Sequence, residues 1–552
     1  MFMSGKDRIR NESEGRGGLR VEDKDGAAES TGPVPYDTVG QNFTVVFPEN
    51  IASYYPSPPT NMVIITALKN GTTVRVQEYD KSEQRDLDAG DVWNFTVNAK
   101  LELGKQNISN KTLTIDSNKD ITVQAISRKE DSLQTAVVIP TDKLGTTYLI
   151  PPIPTIPGTN NYQDLVVQTV TERGPFRIII VNGVQQQNNV NVGGLKTQEV
   201  SLQSGQVAQI WLNESAGFKN VTAEKPVAVL FGHPCAVQRY CSCGLLYAIL
   251  PPAPGRTLKY LVPPFLAQDA AGETMVLLAQ NDSTSVTPYA SSSPTYDVAG
   301  TAILYRPGLL LPLIPTANFA CCFVVTALST ISKNYAVIVV SSNVTDGVRV
   351  GNNHISSADW TKLEGTNYSS IQVPLSLGET VIWHTSSKMA VYFSGNNGST
   401  LFGNQAPVVS SSPDFRGCAV TPEVLDLEEQ PSDWRESFKT CADRKLELLC
   451  LSSADLQKQI YGKLYQNRSL TNNTVQEVWI GMRRSSLNGE WFWVNGDSVN
   501  STTWGDGEPG GVEEGQCTIM SLGNGTGFEW SDDDCCMDAH YICYKEPELF
   551  PI

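Results

Sequence analysis

Cysteine placement is the feature that most constrains the fold of this chain. Twelve cysteines occur in 552 residues, and seven of them lie after residue 417. A cluster of this density is typical of a disulfide framework, which forms in an oxidising compartment. The last quarter of the chain is therefore predicted to be a disulfide-braced domain, and the expected localisation is secreted or extracellular.

The asparagine pattern points to the same compartment. Sixteen Asn-x-Ser/Thr sequons occur, whereas the composition predicts roughly six by chance. N-glycosylation at several of them is expected, although a β protein rich in Ser, Thr and Asn also accumulates accidental sequons. The candidate sites include Asn42, Asn70, Asn94, Asn107, Asn213, Asn343, Asn467 and Asn524.

Net charge and apolar patterning exclude two classes of partner. The formal net charge is −17, so most of the surface would repel a phosphate backbone, and nucleic-acid binding is excluded as the main function. No apolar run is long enough for a membrane-spanning helix. Residues 1–20 contain no apolar signal-peptide core. Since secretion is expected, the true start of the protein is expected to lie upstream of Met1. Whether the natural chain continues beyond Ile552 is left open.

Segment composition predicts several domains. Residues 1–35 are rich in Gly, Glu, Arg and Ser and are predicted to be disordered. Residues 36 to about 410 contain short runs rich in Val, Ile, Thr and Tyr, separated by Gly, Pro, Asn and Asp, which is typical of stacked β-sandwich modules. Residues 406–417 are interpreted as a linker, and residues 418–546 as a separate domain of a different kind.

Two recurring markers indicate an internal repeat in the β region. A glycine followed by an aromatic strand that ends at proline begins at Gly40, Gly145 and Gly255. A lysine with valine four residues on recurs at Lys119, Lys225 and Lys333, and residues 386–391 carry a partial echo. Two markers with one period predict β repeats. Their boundaries are 36–144, 145–254 and 255–405, the last including the partial repeat.

The middle of the chain resembles a known extracellular family. The run Glu224–Ala236, with Leu250-Pro251-Pro252 and the strand ending at Pro264, is similar to the N-terminal domain family of IgG-Fc-binding protein, and the resemblance covers roughly residues 40–405. That family is associated with mucosal adhesion and with binding of other secreted proteins, such as mucins. The resemblance implies protein partners for the β region.

The last quarter of the chain combines two predicted helices with short strands. Ser432 or Asp433 is expected to cap a helix carrying Trp434, Phe438 and Cys441, and Ser452 or Ser453 a second one. The segments that follow are Trp479-Ile-Gly481, Trp491-Phe-Trp493, Trp504-Gly-Asp-Gly-Glu-Pro509, Trp530-Ser-Asp532 and Tyr541-Ile-Cys543. In this order and spacing they resemble the C-type lectin domain, which implies an α+β C-type-lectin-like fold.

The same resemblance implies disulfide pairs. It joins Cys441 to Cys543 and Cys517 to Cys535, and it leaves Cys450 and Cys536 as a candidate third pair. The pairing of the other six cysteines stays open, because six cysteines allow about fifteen arrangements. Those six are Cys235, Cys241, Cys243, Cys321, Cys322 and Cys418.

Calcium is the candidate cofactor that the lectin resemblance implies, and its ligand set is incomplete in this sequence. Glu508 and Asp532 match the family pattern for calcium and sugar ligands. Gly510 stands where Asn or Asp is expected, and Ser531 replaces Asn. Gly515 holds the usual Glu position, with Glu514 one residue earlier. Convergence of Glu508 and Asp532 would favour calcium binding, and divergence would exclude it.

Three classes of function compete. The leading hypothesis is an extracellular recognition protein that binds glycans or glycoproteins. The second is an adhesive mucus-type protein whose β region binds secreted proteins while the lectin-like domain serves as scaffold. An enzyme is disfavoured, because nucleophile-elbow, zinc and phosphate-loop motifs do not occur. His233 beside Cys235 suggests a thiol–imidazole pair, but a bridge from Cys235 to Cys241 or Cys243 is favoured.

Overall fold

The computed structural model divides the chain into two compact units. One contains residues 30–420 with 549–552, and the other contains residues 421–548 with the N-terminal strand β1 (Leu19–Arg20). The structure describes residues 19–20, 38–52, 57–79, 81–154, 176–195, 197–212, 217, 219–239, 242–268, 272–281, 283–328, 333–356, 359–397, 400–466, 475–511, 513–523 and 527–552.

The larger unit is built almost entirely from strands. In chain order they are β2 (Gly40–Val45), β3 (Thr60–Ala67), β4 (Thr72–Glu78), β5 (Lys81–Leu87), β6 (Val92–Val97), β7 (Ile108–Ser109), β8 (Leu113–Lys129), β9 (Ser132–Val137), β10 (Gly145–Leu149), β11 (Arg177–Val181), β12 (Asn188–Gly193), β13 (Gln198–Leu202), β14 (Val207–Trp211), β15 (Asn220–Arg239), β16 (Ser242–Ile249), β17 (Leu258–Leu261), β18 (Met275–Gln280), β19 (Thr284–Pro288), β20 (Thr295–Val298), β21 (Gly300–Arg306), β22 (Leu309–Pro312), β23 (Cys322–Ala327), β24 (Lys333–Ser341), β25 (Val348–Val350), β26 (Asn353–His354), β27 (Thr361–Lys362), β28 (Tyr368–Pro374), β29 (Gly378–His384), β30 (Met389–Asn397), β31 (Thr400–Gln405), β32 (Val408–Ser410) and β33 (Ala419–Thr421). Among the described residues, one short α-helix, α1 (Pro264–Ala267), and four short 3-10 helices interrupt them.

A long central strand organises the first block of this unit, residues 40–137. β8 pairs with β2 along its first half and with β3 along its second half, in a sheet ordered β5-β4-β8-β3-β6. In β4, buried and accessible residues alternate, as expected for a strand with one face on a core. The core contains Phe43, Val63 and Trp93. Almost every residue of the edge strand β5 is exposed, and its sequence is charged, which protects an open edge from pairing with other chains.

The second block, residues 145–249, repeats this arrangement. Its long strand β15 pairs with β10 and β11 as β8 pairs with β2 and β3. Gly40 lies opposite Ile121, and Gly145 lies opposite Val227. The markers Lys119 and Lys225, each two residues earlier, therefore occupy equivalent positions in the two long strands.

The remaining residues of the β region form two further blocks. In the third block, residues 258–312, β17 pairs with β20, and a four-stranded sheet runs β19-β18-β21-β22. The fourth block, residues 322–410, has two five-stranded sheets, ordered β26-β25-β29-β23-β32 and β27-β28-β24-β30-β31. Lys333 begins β24, which pairs with β28 and β30 as β3 pairs with β6 and β8. The third lysine marker is therefore not equivalent to the first two.

The first and fourth blocks share a core. Ile64 and Ile126 from the first block pack in one cluster with Phe393 and Phe402 from the fourth. Buried hydrogen bonds reinforce the junction, because Gln124 and Thr135 both donate to Asn404 Oδ1. A buried polar group costs little when it is bonded, so this network fixes the register of the two blocks.

Two disulfides lie in this unit. Cys322 is bonded to Cys418 with the Cα atoms 5.6 Å apart, and Cys235 is bonded to Cys243. Cys321 is a buried free thiol, and Cys241 lies outside the described residues. The suggested thiol–imidazole pair is not formed, because Cys235 is in a disulfide; His233 Nδ1 instead accepts the Cys235 backbone N–H at 3.0 Å.

Two segments differ in detail from the sequence-based expectations. Residues 406–417 were expected to form a linker, whereas residues 408–410 form β32, which pairs with β23 because Val408 and Val409 pack against the fourth block. Residues 1–35 were expected to be disordered. Leu19 and Arg20 pair with Leu427 and Asp426 of the smaller unit, and the rest of this segment lies outside the described residues.

The smaller unit mixes helices with a mostly antiparallel sheet. Its elements are β34 (Val424–Ser432), α2 (Trp434–Asp443), β35 (Glu447–Leu448), α3 (Ala454–Gln466), β36 (Glu477–Arg484), β37 (Trp491–Trp493), β38 (Cys517–Ser521), β39 (Trp530–Asp533), β40 (Ala539–Lys545) and β41 (Glu548–Leu549), the last strand of the chain. The sheet order is β1-β34-β40-β36-β38-β39, and β36 and β40 run parallel. Among the described residues, no helix is long and apolar enough to cross a membrane.

Capping and packing explain why the two longer helices form where the sequence predicts them. Asp433 caps α2, accepting the Glu436 backbone N–H, and Ser453 accepts the Leu456 backbone N–H at the start of α3. Trp434 and Cys441 on α2 are buried, while Phe438 is 39% exposed. On α3 the apolar residues Leu456, Ile460 and Leu464 are all buried.

Candidate functional site

The candidate site lies on the long loop between β37 and β38, where it meets β39. Backbone bonds attach the loop to that strand, because Trp530 donates to Thr503 O and Gly505 donates to Trp530 O. The rings of Trp493 and Trp504 pack edge-on against Trp530, at centroid distances of 5.6 and 5.8 Å. These tryptophans give an otherwise irregular loop a fixed support.

Glu508 and Asp532 converge on this face. The Asp532 backbone N–H lies 3.5 Å from Glu508 Oε2, and hydrogen bonding between the two carboxyl groups, followed by partial burial, raises the pKa of Glu508 above its ordinary value. Gly510 donates its backbone N–H to Asp532 Oδ1 at 2.6 Å. The other oxygen, Asp532 Oδ2, is buried and accepts no hydrogen bond from an N–H or hydroxyl group of the described residues.

Glu514 lies over Gly510. A Cβ atom built on Gly510 would meet Glu514 Oε2 first, so the glutamate carboxylate occupies the space into which a side chain at position 510 would extend. The sequence indicated that Gly510 removes a ligand and that Glu514 is displaced by one residue. The structure brings these two departures from the family pattern to one place.

Gly515 is a position where a side chain has no room. A Cβ atom there would overlap the backbone of Asp532 and Asp533, because β39 passes directly beside the glycine. Gln516 donates its N–H to Asp533 O at 3.1 Å and holds the two segments together. The glutamate that the family pattern places at this position is therefore excluded by close backbone packing.

Ser531 and Arg484 complete the surroundings of the pair. Ser531 is half-buried on β39 opposite Ile519, and it brings a hydroxyl in place of the expected amide. Arg484 was not identified from the sequence, yet its Nη2 donates to Gly510 O at 2.9 Å and its guanidinium stacks on Trp491. The sequence carries no signal for this role, because a basic residue at the end of a strand is usually solvent-facing.

The residues present do not build a full calcium shell. Calcium takes about six to eight oxygen ligands, and an all-protein site supplies several of them from side chains. Among the described residues, no three His, Cys, Asp or Glu side chains form a group that could hold a metal ion. Glu508 and Asp532 do converge, but Gly510 and Gly515 contribute no side-chain oxygen.

Disulfides fix the two ends of the domain and its loop. Cys441 is bonded to Cys543 with the Cα atoms 5.3 Å apart, and Cys517 to Cys535 at 5.2 Å. The candidate third pair is not formed. Cys450 is buried, with its thiol directed at the Leu448 carbonyl, whereas Cys536 is an exposed free thiol in the turn before β40.

Five of the candidate glycosylation sites are exposed. They are Asn42, Asn70, Asn94, Asn107 and Asn343. An exposed asparagine can carry a glycan without rearrangement of the fold. The candidates Asn213, Asn467 and Asn524 lie outside the described residues.

Comparison with known proteins assigns both regions. The family model for the Lectin C-type domain matches residues 430–545, the segment that holds both disulfides and the loop. The C-terminal unit carries a C-type lectin domain. The family model for IgGFc binding protein matches residues 134–303 within the β region. Both families are non-enzymatic kinds, and C-type lectin domains typically bind Ca²⁺.

Relatives of known name are similar to each region separately. The human IgGFc-binding protein is 25% identical over 248 residues, which is 44% of this chain and 4% of that protein. The C-type lectin lectoxin-Lio3 of Erythrolamprus poecilogyrus is 26% identical over 123 residues, or 22% of this chain and 73% of that protein. This chain therefore spans only a small part of the IgGFc-binding protein.

Solved structures also match the C-terminal region. Human lithostathine is 21% identical and covers 22% of this chain and 92% of its own, with a TM-score of 0.20. The mouse scavenger receptor C-type lectin carbohydrate-recognition domain is 22% identical and covers 23% of this chain and 93% of its own, with a TM-score of 0.19. The assignment of the domain rests on its family match and on the elements described above.

Proposed function

We propose that this protein is a secreted recognition protein whose C-type lectin domain binds glycoconjugates on the long-loop face. The observation that carries the proposal is the convergence of Glu508 and Asp532 there, with Asp532 Oδ2 accepting no N–H or hydroxyl group of the described residues. Carboxylate oxygens accept strong hydrogen bonds, and neighbouring sugar hydroxyls are suitable donors. Glu514 and Ser531 would supply further polar contacts at the edge of the pair.

In this proposal binding does not require calcium. Glu508 and Asp532 are the residues that would hold an ion, but the glycines at 510 and 515 leave most of its shell to water. Carboxylate oxygens accept hydrogen bonds from sugar hydroxyls directly, so the pair can contact a sugar without a metal.

A glycan array probed with the full chain tests this function. Binding to one class of immobilised glycan is expected, and it should persist when calcium is replaced by a chelator. If no glycan is bound either with calcium or with the chelator, the carbohydrate part of the proposal is wrong. Loss of signal with the chelator alone would restore the calcium-dependent mode.

A calcium titration measured by thermal unfolding gives an independent readout. A bound ion present at ten times its dissociation constant would stabilise the domain by about 1.4 kcal/mol. We expect no shift of that size at millimolar calcium, with magnesium as the control cation. A calcium-specific rise in the unfolding temperature would contradict the expectation.

The match to IgGFc binding protein favours a second candidate function for the β region. Residues 134–303 match that family, so we propose that this region binds secreted proteins, with immunoglobulin Fc as the first probe. The test is capture of Fc by the full chain and by the variant Asp532→Ala. Equal capture by both places the activity in the β region, and no capture by either removes Fc as a partner.

Secretion is supported by the disulfides of both units. Four disulfides form among the described residues, and bonds of this kind persist in oxidising compartments. The expected observation is that the chain, when directed into the secretory pathway, is recovered from the medium with these bonds intact. Peptide mapping without reduction checks it, and recovery as a fully reduced chain would contradict it.

A further inference from the structure

A cleft opens between the first block and the end of β23 in the fourth block, beside the edge strand β6. Its volume is about 610 Å³, which lies in the usual range for ligand sites. Aliphatic side chains, including Met62, Ile64 and Ile126, line its floor. Exposed polar residues, among them Arg128 and Glu130, stand at its rim. A site with an apolar floor and a polar rim suits an amphipathic ligand.

Strand register places the sequon Asn94-Phe95-Thr96 at this cleft. Asn94 lies directly opposite Ile64, and Thr96 lies opposite Met62. Residues opposite one another in an antiparallel pair project from the same face of the sheet. Asn94 also lines the cleft and is exposed, whereas Phe95, between the two polar residues, is buried in the core.

The edge position of β6 gives a second reason to expect a group that covers this strand beside the cleft. β6 pairs with β3 on one side and ends the sheet β5-β4-β8-β3-β6. The opposite edge, β5, is protected by its charged residues, but β6 has the sequence Val-Trp-Asn-Phe-Thr-Val and carries no charge. An apolar edge strand without charges needs another device to prevent pairing with a second chain.

We propose that Asn94 is N-glycosylated and that the first N-acetylglucosamine residues of its glycan lie in this cleft. The sugar ring and the acetyl methyl group would pack on Met62 and Ile64, while the hydroxyl and amide groups would bond to the polar rim. The glycan covers the open edge of β6 at the same time. This inference rests on passage through the secretory pathway, which is part of the proposed function.

The modification joins Asn94 Nδ2 to C1 of the first sugar. The donor is a polyprenyl-diphosphate-linked oligosaccharide of the secretory pathway. The new N–C1 bond forms as the C1–O bond to the diphosphate breaks, the polyprenyl diphosphate leaves with the bonding electrons, and the amide loses one proton.

Asn42 provides a matched internal control. Its sequon is also Asn-Phe-Thr, and Asn42 is exposed on β2, but it does not line the cleft. The full chain, secreted from cultured human cells, would be analysed by glycopeptide mass spectrometry for occupancy at both sites. The native protein would then be treated with peptide N-glycosidase, and the rate of glycan release measured at each site.

We expect Asn94 to be occupied and its glycan to be released about tenfold or more slowly than that of Asn42, because access requires local opening. Denaturation should abolish the difference. Met62→Ala, which removes part of the floor while keeping the sequon, should speed release at Asn94 and leave Asn42 unchanged.

Two results would overturn the proposal. An unoccupied Asn94 beside an occupied Asn42 would show secretory passage without this modification, and it would leave the lectin function untouched. Equal native release at the two sites, or no effect of Met62→Ala at Asn94, would show that the glycan stands free of the cleft.

Discussion

Glu102 shows how burial changes a single residue of the first block. Its Oε1 accepts the Asn50 backbone N–H at 2.8 Å. Burial raises the pKa of Glu102 to about 7, with nearby Glu49 adding to the rise and Lys129 and Lys111 opposing it. The folded protein therefore binds a proton here at pH values where the unfolded chain has released it.

The stability of the larger unit should fall as pH rises from about 4.5 to 7, by at most about 1.4 kcal/mol per pH unit from this group. The stabilisation that follows from the raised pKa is fully present below the pKa of Glu102 in the unfolded chain. It is lost as pH rises through the pKa of Glu102 in the folded protein. Solvent screening makes the effect smaller, since Glu102 is only partly buried. In Glu102→Gln the slope should flatten. Urea unfolding at pH 5 and pH 7 measures it.

The exposed residue Glu199 offers the control, because Glu199→Gln changes the same functional group in the second block without removing a buried one. If Glu102→Gln and Glu199→Gln show the same pH slope, burial of Glu102 does not contribute.

Among the elements of the β region, the first two blocks share a close contact between the start of the first strand and the turn after the last strand. A Cβ atom on Gly145 would meet Pro252 Cβ at 2.6 Å, and Gly40 meets Pro140 in the same way. Each glycine begins the first strand of its block, and each proline follows the last strand of that block. The first two recurring glycines therefore mark a contact that admits no side chain. Their partner is a proline after the last strand of the block, not the proline that ends the glycine's own strand, and the third glycine, Gly255, makes no such contact.

Gly145→Ala should destabilise the larger unit by about 1–3 kcal/mol, because a methyl group is forced into a packed contact. Gly104→Ala is the control, since nothing lies within 4 Å of its Cβ position. Denaturant unfolding followed by intrinsic fluorescence compares them, and equal midpoints for the two variants would refute the contact as the cause of the repeat.

Loop length should rank the two disulfides of the lectin domain. In the chain-entropy account, a bond spanning about 100 residues stabilises by about 4.7 kcal/mol and one spanning about 15 residues by about 3 kcal/mol. Cys441 and Cys543 are 102 residues apart, and Cys517 and Cys535 are 18 apart. Replacing the first pair by serine should therefore cost more. Differential scanning calorimetry measures both double variants, and a larger loss for the second pair would reverse the ranking.

Sequence patterns reported local constraints better than partners distant in the chain. The helix caps and the buried faces of α2 and α3 could be predicted, because each depends on neighbouring residues. The recurring glycines could also be found, but not their contacts with Pro140 and Pro252, because these partners lie far apart in the chain. The equivalence of Lys333 was wrong, since Lys-x-x-x-Val marks a strand without saying which strand. The Cys450–Cys536 pair failed because pairing depends on burial, and Arg484 and the placement of Glu514 over Gly510 depend on how the loop folds back.

The whole molecule joins two regions of different architecture, each with its own family match. The β region contributes four strand-rich blocks, and the first and fourth share a core. The C-type lectin domain contributes a loop held by tryptophans, a disulfide and Arg484. In the proposed function the loop face recognises glycoconjugates and the β region secreted proteins.

Recognition of glycans by the long-loop face is tested by Asp532→Ala in the full chain, with Asp506→Ala on the same loop as the control. Asp506 is exposed, whereas Asp532 accepts the Gly510 N–H and meets Glu508. Circular dichroism would first establish that both variants retain the fold. On a glycan array, we expect Asp532→Ala to lose the glycan signal and Asp506→Ala to keep it. An undiminished signal in folded Asp532→Ala would contradict the assignment of recognition to this face.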